Sequence, residues 1–106
     1  MYSEIDSEEY RDQFESGDSG DYQLIDVREI AEYAAGRIPG TKNIPLSEFQ
    51  NRVDEISEET PVILVCATGV RSGRAATFLA SMGYEDVYNH SDGTKGWIAK
   101  GYPAES

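Results

Sequence analysis

A chain of 106 residues is long enough for one domain and too short for two, and a domain of this size buries roughly two-thirds of the surface that its unfolded chain exposes. Twenty acidic against nine basic residues give a formal net charge of −11, which repels nucleic acid and anionic membranes before any local contact forms. No apolar run approaches the ~20 residues of a membrane span, and the acidic start MYSEIDSEEYRDQF lacks the positive charge and apolar stretch of a secretory leader, so a cytoplasmic protein is expected.

In chain order, SEEYRDQFESG begins with Ser7 as N-cap and stops at Gly17, a short helix with Tyr10 and Phe14 on one face. Tyr22 to Val27 is a strand. REIAEYAAG carries helix formers and Gly36 as a stop, and RIPGTKNIP, with two prolines and a glycine, is a connection with at most a brief strand near Asn43 and Ile44. SEFQNRVDEI is a helix that Ser47 caps. Pro61 to Cys66 is a continuous apolar run, the pattern of a strand buried on both faces. After a six-residue loop, SGRAATFLASMGY is a helix ended by Gly83; a strand at DVYN and a small helix at GTKGWIAKG close the chain. Strands separated by helices predict an α/β fold, with a mostly parallel central sheet flanked by helices on both faces.

Ligands of such sheets sit outside the carboxyl ends of the strands, where the only cysteine, Cys66, ends the most apolar one. With a single cysteine no internal disulfide is available, so Cys66 is either a small buried hydrophobe or a working thiol. The residues that follow, ATGVRSG, are not those of a continuing apolar core. If Cys66 to Arg71 curls around the sulfur, its backbone N–H groups make an anion-binding nest backed by the N-terminus of the next helix. The same field favours thiolate over thiol. Gly69 permits the tight turn, and Arg71 holds the rim or meets a substrate anion.

Other thiol chemistries fit less well. A cysteine hydrolase needs a histidine base, but the one histidine, His90, lies in the turn-like NHSDG and reads as a surface or packing residue. A tyrosine-phosphatase loop has five residues between cysteine and arginine, whereas here four intervene, and the smaller ring also disfavours phosphate or arsenate ester chemistry. One Cys and one His give no metal site.

Two stretches carry a resemblance. LIDVREIAEYAAGRIPGTKNIP resembles the first signature of the single-domain rhodaneses, the thiosulfate sulfurtransferase family, and VILVCATGVRSGRAATFLASMGY resembles the second. The likeness implies one rhodanese domain over residues 1–106, with Cys66 as the sulfur-carrying nucleophile and Ala67, Thr68, Gly69, Val70 and Arg71 as the cradle. Asp26 and Arg28 then stand at a neighbouring strand end, as a fold-stabilising pair or as pocket residues. Two positions depart from the pattern: Arg37 stands where the family usually has histidine, and SDGTKGW replaces its paired glycines. The implied reaction is a double displacement, in which the Cys66 thiolate takes the outer sulfur of thiosulfate or a similar donor and passes it to cyanide or a thiol. It requires no base, metal or cofactor. The implied partners are a small sulfur donor and a thiol acceptor, such as thioredoxin or another sulfur-carrier protein, and the expected state is a monomer. A non-catalytic interaction module of the same fold is the competing reading.

The acidic residues spread from Glu4 to Glu105 while lysine is confined to Lys42, Lys95 and Lys100. That distribution resembles proteins of salt-loving organisms, whose carboxylates keep them soluble in concentrated salt; an ordinary acidic cytosolic protein is the alternative.

Overall fold

The central strand sets the architecture. In the computed structural model, which describes residues 1–17 and 20–106, Val62–Val65 (β4) is buried throughout. Its side chains alternate: Val62 and Leu64, with Cys66 beyond, join one core cluster, and Ile63 and Val65 join the other. Two opposite apolar faces require two covering layers. One consists of Val70–Ser81 (α3) with the 3₁₀ segments Leu46–Glu48 and Gln50–Glu55; the other consists of Ser7–Tyr10 (α1), its continuation Arg11–Glu15, and Gly93–Ala99 (α4).

Around β4 lie Ser3–Ile5 (β1), Gln23–Asp26 (β2), Lys42–Asn43 (β3) and Val87–His90 (β5), in the order β1-β5-β4-β2-β3 with every pair parallel. The remaining helix, Ile30–Ala35 (α2), follows β2 and carries a capping box between Glu29 and Glu32. The α/β reading is thus met, with a sheet that is parallel throughout. Among the described residues no helix is long and apolar enough to cross a membrane.

Several local expectations are corrected. The first helix is capped by Asp6, not Ser7: the Asp6 carboxylate accepts the Glu9 N–H at 2.9 Å while the Glu9 carboxylate accepts the Asp6 N–H at 2.9 Å. Ser7 is buried, and its N–H goes to Asp92. After Tyr10 the helix widens into a π turn, yet Tyr10 and Phe14 are both buried as expected. The segment after Pro45 is 3₁₀ rather than α-helical. Its N–H and C=O groups are drawn into tertiary bonds, Leu46 N–H to the Val27 carbonyl and the Ile56 carbonyl to the Tyr84 hydroxyl at 2.6 Å. Ser47 caps nothing, because its hydroxyl donates to Glu29. Helix α3 starts at Val70, two residues before Ser72, and β1 was not anticipated at all.

Candidate active site

Cys66 follows the last residue of β4 and is 1% exposed. The chain then turns at Gly69, whose φ of +94° is one that L side chains rarely adopt, and enters α3 at Val70. A Cβ on Gly69 would also lie 2.8 Å from the Ser91 carbonyl oxygen, so this position is closed to side chains on two grounds. The turn brings the Gly69 N–H to 3.1 Å from the Cys66 Sγ. From the first turn of α3 the Ser72 hydroxyl reaches the same sulfur at 3.3 Å. Burial pushes the thiol up, but the Ser72 hydroxyl and the amides of Ser72, Thr68 and Gly69 favour the charged sulfur, and the balance falls below the ordinary thiol value.

Three carbonyls of the loop are anchored from outside. The Cys66 carbonyl accepts the Thr94 N–H at 2.8 Å and the Ala67 carbonyl accepts the Lys95 N–H at 3.1 Å, both from α4. The Gly69 carbonyl accepts the Asn89 side-chain amide at 3.0 Å. Gly93, at φ +67°, passes so close that a Cβ there would sit 2.7 Å from the Thr68 nitrogen and overlap the Ala67 carbonyl.

Arg71 is tied to α2. Its two terminal nitrogens each donate at 2.8 Å to the Glu32 carboxylate of α2, a bidentate pair that holds the Glu32 carboxyl down at about 2. Glu32 Oε1 also accepts the Glu29 N–H at 3.0 Å, so the helix cap fixes the carboxylate that fixes the arginine. Beside this pair opens a cavity of about 310 Å³, bounded by Arg28, Glu32, Ala67, Thr94, Lys95 and Ile98 among others. The buried Thr94 hydroxyl has no hydrogen-bond partner among the described residues, and the exposed Val70 and Ile98 stand at the loop and the cavity wall.

Asp26 and Arg28 form a buried lock. Arg28 Nη2 donates to Asp26 Oδ2 at 2.8 Å and to the Gly36 carbonyl at 2.8 Å, while Nη1 reaches the Glu32 carbonyl at 3.2 Å, tying the end of β2 to both ends of α2. Arg37 does not line the cavity: its guanidinium stacks 4.7 Å over Tyr33, and its backbone bridges to Glu105. His90 is fully buried among Tyr10 and Trp97, accepts the Gly93 N–H at Nδ1, and is kept neutral by burial. It packs; it does not face the thiol. Sequence reasoning singled out neither Ser72, Asn89 nor Glu32 as site residues. The available signals were a polar residue in the first inward turn of α3 and an asparagine in the short strand VYNH. Among the described residues no three His, Cys, Asp or Glu side chains gather as metal ligands would.

The rhodanese-like domain family matches residues 6–100. The Bacillus subtilis protein YqhL is 49% identical over 78 residues, covering 74% of this chain, which spans 62% of that protein's length. A protein named sulfurtransferase from Allochromatium vinosum is 35% identical, over 97% of this chain and 94% of its own. The crystal structure of a rhodanese-related protein from Thermoplasma volcanium superposes with a TM-score of 0.86 at 29% identity, covering 98% of each chain. By its sequence, by its all-parallel sheet and by the loop that closes on Cys66, the chain belongs to the rhodanese-like domain family.

Proposed function

We propose that the protein is a thiosulfate sulfurtransferase of the rhodanese type, with Cys66 as the nucleophile. The observation that carries this reading is the sulfur's setting: a lone thiol at the carboxyl end of a central parallel strand, receiving an N–H from Gly69 and a hydroxyl from Ser72. In the first step Sγ forms a bond to the outer sulfur of thiosulfate; the S–S bond of the donor breaks, and sulfite leaves with its electron pair. The persulfide carries its charge on the outer sulfur, which the backbone amides of Ala67, Thr68, Gly69, Val70 and Arg71 surround. In the second step cyanide or a thiol forms a bond to that outer sulfur and the Cys66 thiolate is released. Both steps are displacements at sulfur, and no general base is consumed. The natural acceptor is a thiol, on thioredoxin or another sulfur-carrier protein, and the chain acts in the cytoplasm as a monomer.

The test is thiocyanate formation from thiosulfate and cyanide, together with the intact mass of protein purified without reductant. The parent is expected to turn over and to carry one additional sulfur on Cys66; Cys66→Ser is expected to fold, to lose all turnover and to gain no sulfur. A Cys66→Ser protein that turns over as the parent does would end this reading, and a folded parent that neither loads sulfur nor forms thiocyanate would favour the non-catalytic module.

A further inference from the structure

Behind the nucleophile one hydroxyl proton is contested by two acceptors. Ser72 Oγ lies 3.3 Å from Cys66 Sγ and 2.5 Å from Asn89 Oδ1. The orientation of the Asn89 amide is fixed, because its nitrogen faces the Glu4 carboxylate at 2.9 and 3.2 Å and the Gly69 carbonyl at 3.0 Å, all acceptors. Oδ1 therefore only accepts. Two oxygen lone pairs cannot face each other at 2.5 Å, so at this separation the Ser72 proton lies between Ser72 and Asn89. Ser72 is fully buried and Asn89 nearly so, and the low dielectric around them strengthens both bonds.

The geometry points to a hydroxyl toggle: Ser72 gives its proton to Cys66 Sγ whenever that atom is charged and to Asn89 whenever it is not, and Asn89, a positioning residue, is the competitor that returns it. When Cys66 is a thiol, the S–H donates to Ser72 Oγ and Ser72 donates to Asn89. When the thiol proton leaves to water, the Ser72 O–H swings to the sulfur and its bond to Asn89 is given up. When Sγ carries a second sulfur its own charge is gone, the outer sulfur holds the charge against the loop amides, and the Ser72 proton goes back to Asn89. The toggle thus favours a charged Sγ at the two moments when Cys66 attacks and when it departs, and relaxes while sulfur is carried. Its loaded-state half rests on the sulfur-carrier reading above; the titration of the free thiol does not.

Among the described residues, the elements packed around the loop carry these charged groups near it. Arg71 of α3 is paired to Glu32 of α2, Asp26 and Arg28 pair at the end of β2, Glu4 of β1 lies beyond Asn89, and Lys95 of α4 stands at the cavity. His90 of β5 is held neutral by burial and Glu32 is ionised with its carboxyl near 2, so neither changes charge while the thiol titrates.

The experiment is the ultraviolet thiolate absorbance of the reduced protein against pH, which needs no sulfur donor; the seven tyrosines are subtracted with the curve of Cys66→Ser, leaving the one cysteine. Ser72→Ala is expected to raise the titration midpoint by about one pH unit, the size of one hydrogen bond to a charged group. Ser72→Thr is expected to restore it. Asn89→Ala is expected to move the midpoint the other way, down by about half a unit, because the hydroxyl then has only the sulfur to serve. A midpoint unchanged in Ser72→Ala overturns the inference. A rise in both Ser72→Ala and Asn89→Ala overturns the competition, since the network would then only hold the loop in shape. If Asn89→Ala does not fold, the Ser72→Ala and Ser72→Thr pair decides. A chain that titrates as expected and never forms thiocyanate keeps the thiolate half and loses the sulfur-carrier reading.

Discussion

Replacing Gly93 by alanine tests whether α4 holds the active-site loop by close contact. The new methyl would meet the Ala67 carbonyl carbon at 2.5 Å and the Thr68 nitrogen at 2.7 Å, so the peptide between them must retreat by roughly 1 Å to reach ordinary contact. That peptide cannot move alone, because the carbonyls of Cys66 and Ala67 are bonded to the N–H groups of Thr94 and Lys95. The left-handed conformation adds about 1 kcal/mol for an alanine, and the overlap in a packed region adds about 1–3 kcal/mol. The total of about 2–4 kcal/mol corresponds to a melting temperature lower by roughly 10–20 °C for a domain of this size. Turnover should fall further than stability does. The loop that moves is the one that cradles the sulfur, and a displacement of about 1 Å at a reacting centre costs on the order of 100-fold in rate. The assay pairs a thermal melt followed by circular dichroism with thiocyanate formation well below the transition. A Gly93→Ala protein that melts with the parent would show that the loop yields freely; one that melts lower and keeps full turnover would show that the Ala67–Thr68 peptide does not position the sulfur.

Other perturbations address separate parts of the chain. Asp26→Asn keeps the shape of the carboxylate but removes its charge beside a guanidinium whose side chain is 7% exposed; a loss of about 3–5 kcal/mol in denaturant unfolding is expected, and an unchanged midpoint would mean that Arg28 is held by its backbone acceptors alone. Asp92 is partly desolvated, yet its bonds from Lys100 and from Ser7 depress it from an ordinary 3.8 to about 2. A depressed carboxylate stabilises the fold above its unfolded value and loses that contribution as pH falls through its folded value. The gap in melting temperature between the parent and Asp92→Asn should therefore be full at pH 6 and close as pH falls from about 4 to about 2; a gap independent of pH would refute the assignment. The net charge of −11 predicts a melting temperature that rises from dilute buffer to molar salt, where the Debye length shrinks to roughly 3 Å. A flat curve would remove carboxylate repulsion, and with it the salt-loving reading, from the account.

What the sequence made legible was whatever depends on neighbours along the chain. The apolar run Val62 to Val65 announces a strand buried on two faces, and the small and polar residues after Cys66 announce that the strand opens into a loop. Features that depend on distant partners stayed hidden. Strand β1 has one buried residue, Ile5, and polar neighbours; it is a strand because β5 offers it hydrogen bonds, not because of its composition. Ser47 has the chemistry of an N-cap but spends its hydroxyl on Glu29, eighteen positions earlier in the chain. The same holds at the site. Cys66 was visible as the end of a run, whereas the Glu32 carboxylate that takes Arg71 is 39 positions away, and Asn89 is 17 from Ser72. Arg37, which departs from the family pattern, is occupied by the Tyr33 ring four positions before it and by Glu105, far along the chain.

The strand order places the earliest strand at the far edge, paired only with the latest one. During synthesis, residues 3–5 leave the ribosome long before residues 87–90 exist to receive them, and the β2-β4 pairing has all its parts well before β1 does. Glu4, which steadies Asn89 from β1, is thus made well before the strand that engages it. A nascent chain can pair β2 with β4 and expose Cys66 while Asn89 of β5 and the α4 amides that hold the loop have yet to emerge, so the site is completed by the part of the chain that follows α3.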